Sequence, residues 1–409
     1  MNADFTDLRL TQLWLLSPLA VIGAGLLLAQ IVGLGLHAKG LPKLYGAVIA
    51  GLILGVSGFG LIDAPLLSQF QELSNAAAAL VLFEVGRKMD LVWLWKSGRQ
   101  GGSLLLACLL RSVVSVACLV MFGLGWGEAI FISAILIAAN PIIFASMASD
   151  SQATGVATYA GGNMVGLSNL IALLALAVSL AWIKSQEIGN GTGADFAAEL
   201  GRQGIKLALG AAIAVVCYGL YALATRLCRA RASMRPGMLL AALLMDLGLC
   251  SVSASSALLS LLLMGLLLRN AEKRDNVFQA QIKTGQDIGY ALLFMMSASM
   301  VNLEHLMRPA FVLLAVVIFV GRIAATRLAL VPASAWDGPK KNAIAVSLCS
   351  LVSFGSLVVD NSMTGYPGLS TTAAQAMAAL LGLNVLLAPG LTWWGLKIAG
   401  ETHEESVNV

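Results

Sequence analysis

Apolar runs of about 20 residues recur along the whole chain, with short polar segments between them. A helix of that length crosses the hydrocarbon layer of a membrane, and repeated runs of this kind are typical of helical proteins with many membrane spans. Hydrophobic residues make up 58% of the 409 residues and charged residues only 11%, so too little polar sequence remains for a soluble domain. We therefore expect an all-α polytopic membrane protein.

The apolar pattern predicts thirteen spans, with boundaries given to within a few residues. A polar insert at 184–202 follows the sixth span, and the seventh leads into a second set of six. The first run is too long for a cleaved signal peptide, and no small-residue cleavage site follows it. The predicted spans lie at residues 12–37, 42–62, 72–95, 102–124, 127–149, 156–183, 204–227, 236–251, 253–268, 283–302, 307–330, 341–360 and 371–398.

Lys and Arg are distributed unevenly between the two sides of this topology. Of the 25 basic residues, 16 lie on the side that includes the C-terminus and four lie within or at the ends of spans. The opposite side has only Arg9, Lys184, Arg202, Lys206 and Arg308. Because cytoplasmic loops carry the excess of positive charge, the sequence predicts a cytoplasmic C-terminus and, with an odd number of spans, an N-terminus outside.

The sequence shows no pattern of a metal site, a cofactor site or an enzyme active site. The six cysteines are scattered without metal-ligand spacing, and we expect buried, unreactive thiols. The three histidines form no cluster, and there is no nucleotide-binding loop and no nucleophile–base pair. The basic run RLCRARASMR is better explained by topology and contact with lipid headgroups than by nucleic-acid binding.

The fifth predicted span contains a break signal in the segment ILIAANPIIFASMAS. Pro141 removes one backbone donor and clashes with the preceding turn, so we expect an interruption at Asn140-Pro141. A proline kink without any role in substrate binding remains the alternative interpretation.

Four further segments, taken in order, carry a family resemblance. They are GLPKLYGAVIAGLILG near the start, LVLFEVGRKMDL in the third span, LLFMMSASMVNLEHL in the tenth and VGRIAATRLAL in the eleventh. Their order, their spacing and the number of spans resemble the monovalent cation:proton antiporter superfamily, the sodium/proton exchanger group, over nearly the whole chain.

The resemblance implies two inverted repeats, each with one helix broken near the centre of the bilayer. The broken helices would be the fifth and the twelfth span, and Ser353 and Gly355 in the segment SLVSFGSL permit the second break. The implied organisation is a scaffold and dimerisation unit at 1–100 and 231–304, a transport core at 101–183 and 305–400, a loop with a linker helix at 184–230, and a cytoplasmic tail at 401–409.

Residue by residue, the chain departs from the family where acids are usual. Asn140 stands in place of the Asp before the proline of span five, and Ser168 and Asn169 stand in place of acids in span six. All three are neutral across physiological pH, so they can donate and accept hydrogen bonds but cannot exchange a proton. Arg322 matches the basic residue of span eleven. It would meet Asn169, the C-terminal end of a broken helix or an anion, or would simply cap carbonyl groups.

Four other charges lie within the predicted spans. Glu84 and Asp246 are candidate proton carriers, and a structural ion pair is the equally weighted alternative for each. We expect Arg111 to pair with an acid across the helix interface, and Asp287 to lie in the first turn of span ten, where a carboxylate favours the helix N-terminus.

These observations lead to one predicted function and two alternatives. The first is an integral protein of the bacterial inner membrane, a homodimer in contact with lipid, that exchanges Na⁺ or K⁺ for protons by elevator-type alternating access. Its site would be formed by Asn140, Ser168, Asn169 and Arg322. The alternatives are a transporter of anions or neutral solutes on the same fold, and a non-transporting pseudo-exchanger that acts as a sensor or partner subunit.

Overall fold

The fold is all-helical throughout the part of the chain that the structure, a computed structural model, describes: residues 18–188, 192–227, 234–271, 276–303, 308–351 and 369–402. The helices are α1 (Pro18–His37), α2 (Leu44–Leu54), α3 (Ala64–Gln69), α4 (Gln71–Lys88), α5 (Leu91–Lys96), α6 (Arg99–Met121), α7 (Trp126–Leu136), α8 (Pro141–Asp150), α9 (Val156–Ile188), α10 (Gly193–Leu227), α11 (Arg235–Val252), α12 (Ala257–Ala271), α13 (Asn276–Ser299), α14 (Pro309–Ala329), α15 (Gly338–Ser347) and α16 (Thr371–Ile398).

Membrane-spanning character is distributed along the whole described chain. With α7 and α8 taken together as one, eight of the described helices are long and apolar enough to cross a membrane. Two shorter apolar helices lie at Leu44–Leu54 and Ala257–Asn270. Each predicted span overlaps a described helix. The all-α polytopic fold class is therefore confirmed, whereas the number of thirteen crossings stays a prediction.

The helices pack in two groups. We call α1, α2, α4, α11, α12 and α13 the scaffold group, because α4 packs on α12 and α13, and α2 on α1 and α13. The core group consists of α6–α9 and α14–α16, in which α6 packs on α7 and α14, α9 on α7 and α8, and α15 on α16. The long helix α10 contacts α9, α11 and α12 and so joins the two groups.

Glycines allow the closest approach within the scaffold group. A Cβ atom added to Gly86 of α4 would lie 2.0 Å from the Leu262 carbonyl oxygen of α12, and one added to Gly265 would lie 2.0 Å from the Phe83 carbonyl oxygen. The two backbones meet where neither helix carries a side chain, which is a common way of packing helices in membranes.

Helix α9 begins against the segment that follows the last helix. The Glu401 carboxylate accepts hydrogen bonds from the Ala157 and Thr158 backbone N–H groups, each at 2.8 Å, and from the Thr158 hydroxyl at 2.8 Å. Thr154 N–H donates to the Glu401 carbonyl oxygen at 3.0 Å. A carboxylate at this position pairs backbone donors that have no partner within the helix and complements the positive end of its dipole.

One sequence-based prediction about a helix end is wrong. Asp287 is not in a first turn, because α13 begins at Asn276, eleven residues earlier, and its side chain is exposed. The insert at 184–202 is largely helical, because α9 continues to Ile188 and α10 begins at Gly193. A helix that continues past its apolar run into polar sequence cannot be recognised from hydropathy alone.

Candidate functional site

The predicted break in span five lies between α7 and α8. Helix α7 ends at Leu136 and α8 begins at Pro141, and the residues between them are buried. Asn140 is the N-cap of α8: its side-chain oxygen accepts hydrogen bonds from the Ile142 and Ile143 N–H groups at 2.9 and 3.2 Å. Asparagine is among the preferred N-cap residues, and proline at the first helical position lacks only a donor that would have no helical partner.

Helix α9 holds the same break from the side. The Ser168 hydroxyl oxygen accepts a hydrogen bond from Ala139 N–H at 3.1 Å, and the Asn169 amide donates to the Ala139 carbonyl oxygen at 2.9 Å. Asn169 also donates to the Val165 carbonyl oxygen of its own helix at 2.8 Å. The structure thus brings Asn140, Ser168 and Asn169 together around non-helical backbone.

A second interruption follows α15, which ends at Ser347. The side-chain amide of Asn384 on α16 accepts a hydrogen bond from Leu351 N–H at 2.7 Å and donates to the Leu351 carbonyl oxygen at 2.9 Å. The Thr392 hydroxyl donates to the Ser347 carbonyl oxygen at 3.1 Å. The two residues predicted to permit this break, Ser353 and Gly355, lie outside the described residues.

Arg322 lies between the two interruptions and is 0% exposed. Its guanidinium donates to the Leu136 carbonyl oxygen, to the Ala138 carbonyl oxygen at 3.4 Å and to the Ser350 carbonyl oxygen at 3.2 Å. These carbonyls close the C-terminal ends of α7 and α15, where the helix dipole is negative. Burying the charge costs at least about 2.5–3.5 kcal/mol on insertion scales. Hydrogen bonds from a charged donor, about 1.5–3 kcal/mol each, offset that cost.

The two interruptions also contact each other directly, because the Ser350 hydroxyl oxygen accepts a hydrogen bond from Asn140 N–H at 3.3 Å. We call the place where residues 137–140 and 348–351 meet the crossing. Around this crossing, the polar side chains are engaged with backbone groups. A cation beside Arg322 would be repelled by the guanidinium charge. The described part of the crossing therefore has the features of a structural joint and contains no carboxylate or histidine that could exchange a proton.

Comparison with known proteins identifies the family. The profile of the sodium/hydrogen exchanger transmembrane family matches residues 23–385. The chain belongs to the sodium/hydrogen exchanger family. The resemblance seen in the sequence is thereby confirmed.

Solved structures agree on the fold of this family member. The sodium proton antiporter MjNhaP1 from Methanocaldococcus jannaschii, in its structure at pH 8, matches with a TM-score of 0.66 and 16% identity over 96% of each chain. An electron-microscopy structure of the same antiporter matches with a TM-score of 0.64 and 15% identity, over 98% of this chain and 100% of the other. No curated protein matches the sequence.

Glu84 is one of the two candidate proton carriers predicted from the sequence. It lies on α4 and is 4% exposed. Its carboxylate pairs with the Arg87 guanidinium at 2.9 and 3.0 Å and with the Lys88 ammonium at 3.4 Å. It also lines a cavity of about 20 Å³ together with Lys88, Pro141 and Tyr290. That volume is enough for one water molecule. The cavity lies where α4 and α13 of the scaffold group face α8 and α9 of the core group.

Asp246, the other candidate carrier, lies inside the scaffold group. Its carboxylate accepts a hydrogen bond from the Ser260 hydroxyl at 2.6 Å, and the residue is 0% exposed. Its helix α11 packs on α4, α10, α12 and α13. Asp246 is therefore separated from the crossing by other helices.

Arg111 on α6 is the residue whose surroundings differ most from the prediction. Its Nε donates to the Thr326 hydroxyl oxygen at 2.9 Å, and that hydroxyl donates to the Arg322 carbonyl oxygen at 2.8 Å. Its two terminal nitrogens have no hydrogen-bond partner in the described part of the protein. The expected pairing with an acid is wrong, since no described carboxylate reaches it.

Sequence reasoning missed Asn384 and Thr392 as parts of the crossing; it placed Ser350 in the second break segment but not its contacts with Asn140 and Arg322. Asn384 carried a usable signal, because a polar side chain inside an apolar membrane helix needs a partner. Metal binding finds no support in the described ranges, which contain no group of three or more His, Cys, Asp or Glu side chains arranged to hold an ion.

Proposed function

We propose that this chain is a secondary membrane transporter that exchanges a monovalent cation, Na⁺ or K⁺, for protons. Membership of the sodium/hydrogen exchanger family supports the reaction class. The interrupted spans support a transport role, because non-helical backbone within the membrane is tolerated only where protein covers it or where it lines a cavity.

The observation that carries the coupling step is the position of Glu84. The crossing offers no described carboxylate, whereas Glu84 lines the cavity beside Pro141, the first residue of α8. In the resting pair the Arg87 guanidinium balances the Glu84 charge. A cation or a proton that enters the cavity would compete with Arg87 for the carboxylate. Because one carboxylate can take either of them but not both, Glu84 would couple their movements.

The location of this cavity also supports elevator-type alternating access. One wall of the cavity belongs to the scaffold group and the other to the core group. A sliding movement of α8 and α9 past α4 would therefore change the side of the membrane from which Glu84 is accessible. The distribution of positive loops supports a cytoplasmic position for Lys88, which is 46% exposed at its side chain. In this proposal the C-terminus is cytoplasmic, the membrane is the bacterial inner membrane, and the scaffold group forms a homodimer.

The test is flux in proteoliposomes with an imposed pH gradient and a pH-sensitive dye inside. We expect Na⁺ or K⁺ outside to dissipate the gradient with the wild type, and we expect Glu84→Gln to abolish this response. Glu72→Gln is the matched control on the same helix, since Glu72 is exposed in the first turn of α4. Asp246→Asn tests the other candidate carrier and should keep coupling.

Two results would overturn the proposal. Cation-dependent proton flux that survives in Glu84→Gln would exclude Glu84 as the carrier. A wild-type protein that moves chloride or a carboxylate without responding to Na⁺ or K⁺, or that moves no ion, would exclude cation:proton exchange.

A further inference from the structure

Arg111 and Arg322 form a buried pair of positive charges inside the core group. Both residues are 0% exposed, and they are close enough for their charges to interact. Thr326 links them, because its hydroxyl accepts from Arg111 and donates to the backbone carbonyl of Arg322. Like charges at such a distance repel each other, and the repulsion is strong where water is excluded.

Several unpaired donors on and near this arginine pair indicate a further ligand. The two terminal nitrogens of Arg111, the Nε of Arg322 and the hydroxyl of Ser115 are buried and have no hydrogen-bond partner among the described residues. Ser115 follows Arg111 by one turn of α6, so both lie on the same face of that helix. Buried polar groups are almost always hydrogen-bonded, and three unpaired guanidinium nitrogens, with an unpaired hydroxyl one helical turn from Arg111, indicate a missing acceptor.

The described protein supplies no negative charge for this pair. Neither guanidinium has a described Asp or Glu oxygen within ion-pair distance. The titratable side chains that interact with both arginines are the thiols of Cys108 on α6 and Cys349 after α15. A thiol is neutral in its ordinary form and cannot balance two guanidinium charges.

We propose that a small monovalent anion of halide size, in practice chloride, binds between Arg111 and Arg322 as a resident counter-ion. Chloride accepts several N–H and O–H hydrogen bonds and compensates one of the two charges. A sulfate or phosphate ion would need more donors than these four atoms and would lose far more hydration energy on burial. The inference concerns binding alone and holds whichever solute the protein transports.

The experiment measures radioactive chloride binding to the purified full-length protein in lipid nanodiscs, with gluconate keeping the ionic strength constant. We expect one saturable chloride per chain, displaced by bromide and not by gluconate. Arg111→Gln should weaken binding roughly tenfold or more, because it removes charge-assisted hydrogen bonds. Arg327→Gln is the matched control, since Arg327 lies near the end of the same helix as Arg322 and bonds Asn342. It should bind chloride as the wild type does.

A second variant keeps the inference testable if Arg111→Gln does not fold. Cys108→Asp places a carboxylate on α6 one turn before Arg111. That internal anion should replace chloride, so the melting temperature of this variant should not depend on chloride. The wild type should melt at a higher temperature in chloride than in gluconate. Absence of saturable binding in the wild type, or undiminished binding in Cys108→Asp, would overturn the inference.

Discussion

The two interrupted spans meet the same backbone requirement with different side chains. After α7, the N–H and C=O groups of Ala139 are paired by Ser168 and Asn169, which lie 29 and 30 residues further along the chain. After α15, both groups of Leu351 are paired by Asn384 alone, 33 residues further along. In each half, the helix that follows the interrupted span supplies the pairing. The polar residues are therefore required by open backbone within the membrane, whatever the protein carries.

Position along the chain supports the same comparison. Ala139 and Leu351 lie at equal distances from the first residues of α7 and α15. Arg322 is the part that the two interruptions share, since its guanidinium bonds carbonyls of both. Changes at the shared residue should affect both halves, and changes at the separate residues should affect one.

The largest effect is expected from Arg322→Gln, which would undo both interruptions together. A glutamine amide can donate to one or two of the three carbonyls and cannot reach from Leu136 to Ser350 with the same geometry. Unpaired buried carbonyls cost about 1–3 kcal/mol each, so we expect a loss of roughly 2–5 kcal/mol. Thermal unfolding of the detergent-purified protein, followed by size-exclusion fluorescence, would measure it. Arg327→Gln should melt near the wild type, and equal melting of both variants would refute the shared role.

An intermediate effect should separate the two halves. Asn384→Ala leaves both backbone groups of Leu351 unpaired, whereas Ser168→Ala or Asn169→Ala leaves one group of Ala139 unpaired. We expect roughly 2–4 kcal/mol for the first and about half of that for each of the others. The double variant of Ser168 and Asn169 should match Asn384→Ala in the same melting assay. A single Ser168→Ala loss as large as that of Asn384→Ala would contradict the division of roles.

The smallest effect is expected at Asn140, whose side-chain oxygen caps the first turn of α8. Asn140→Ala should destabilise the protein by about 1 kcal/mol, since N-cap replacement by alanine typically costs 0.5–2 kcal/mol. Asn140→Ser retains an acceptor for the first turn and should stay close to the wild type. If alanine and serine had equal effects, the side chain would not be acting as a cap.

Much of this architecture is readable from the sequence, for identifiable reasons. The apolar runs predict the helices because the membrane dictates their length, and Pro141 predicts a break because its ring forbids a continuous helix. A buried arginine requires acceptors, so contact of Arg322 with a broken helix end was among its expected partners. Each of these rules is local, because it can be applied from the residues of one segment without knowing which other segments pack against it.

The partners could not be predicted, because they come from tertiary packing. Nothing in the apolar run around Asn384 indicates that its amide would pair with Leu351. Arg111 was expected to find an acid by analogy with ordinary ion pairs, and the structure gives it a threonine hydroxyl. Of the two candidate carriers, equal in the sequence, packing brings only Glu84 to the boundary between the helix groups.

The contact of Glu401 with the first turn of α9 has a consequence for biogenesis. The ribosome releases α9 long before it reaches residue 401, so the donors of Ala157 and Thr158 have other partners until that residue has been synthesised. The final contact of the sixth predicted span is thus made only after the helices between residues 188 and 401 have been synthesised. Shortened or fused versions that disturb position 401 would emerge with that helix unanchored.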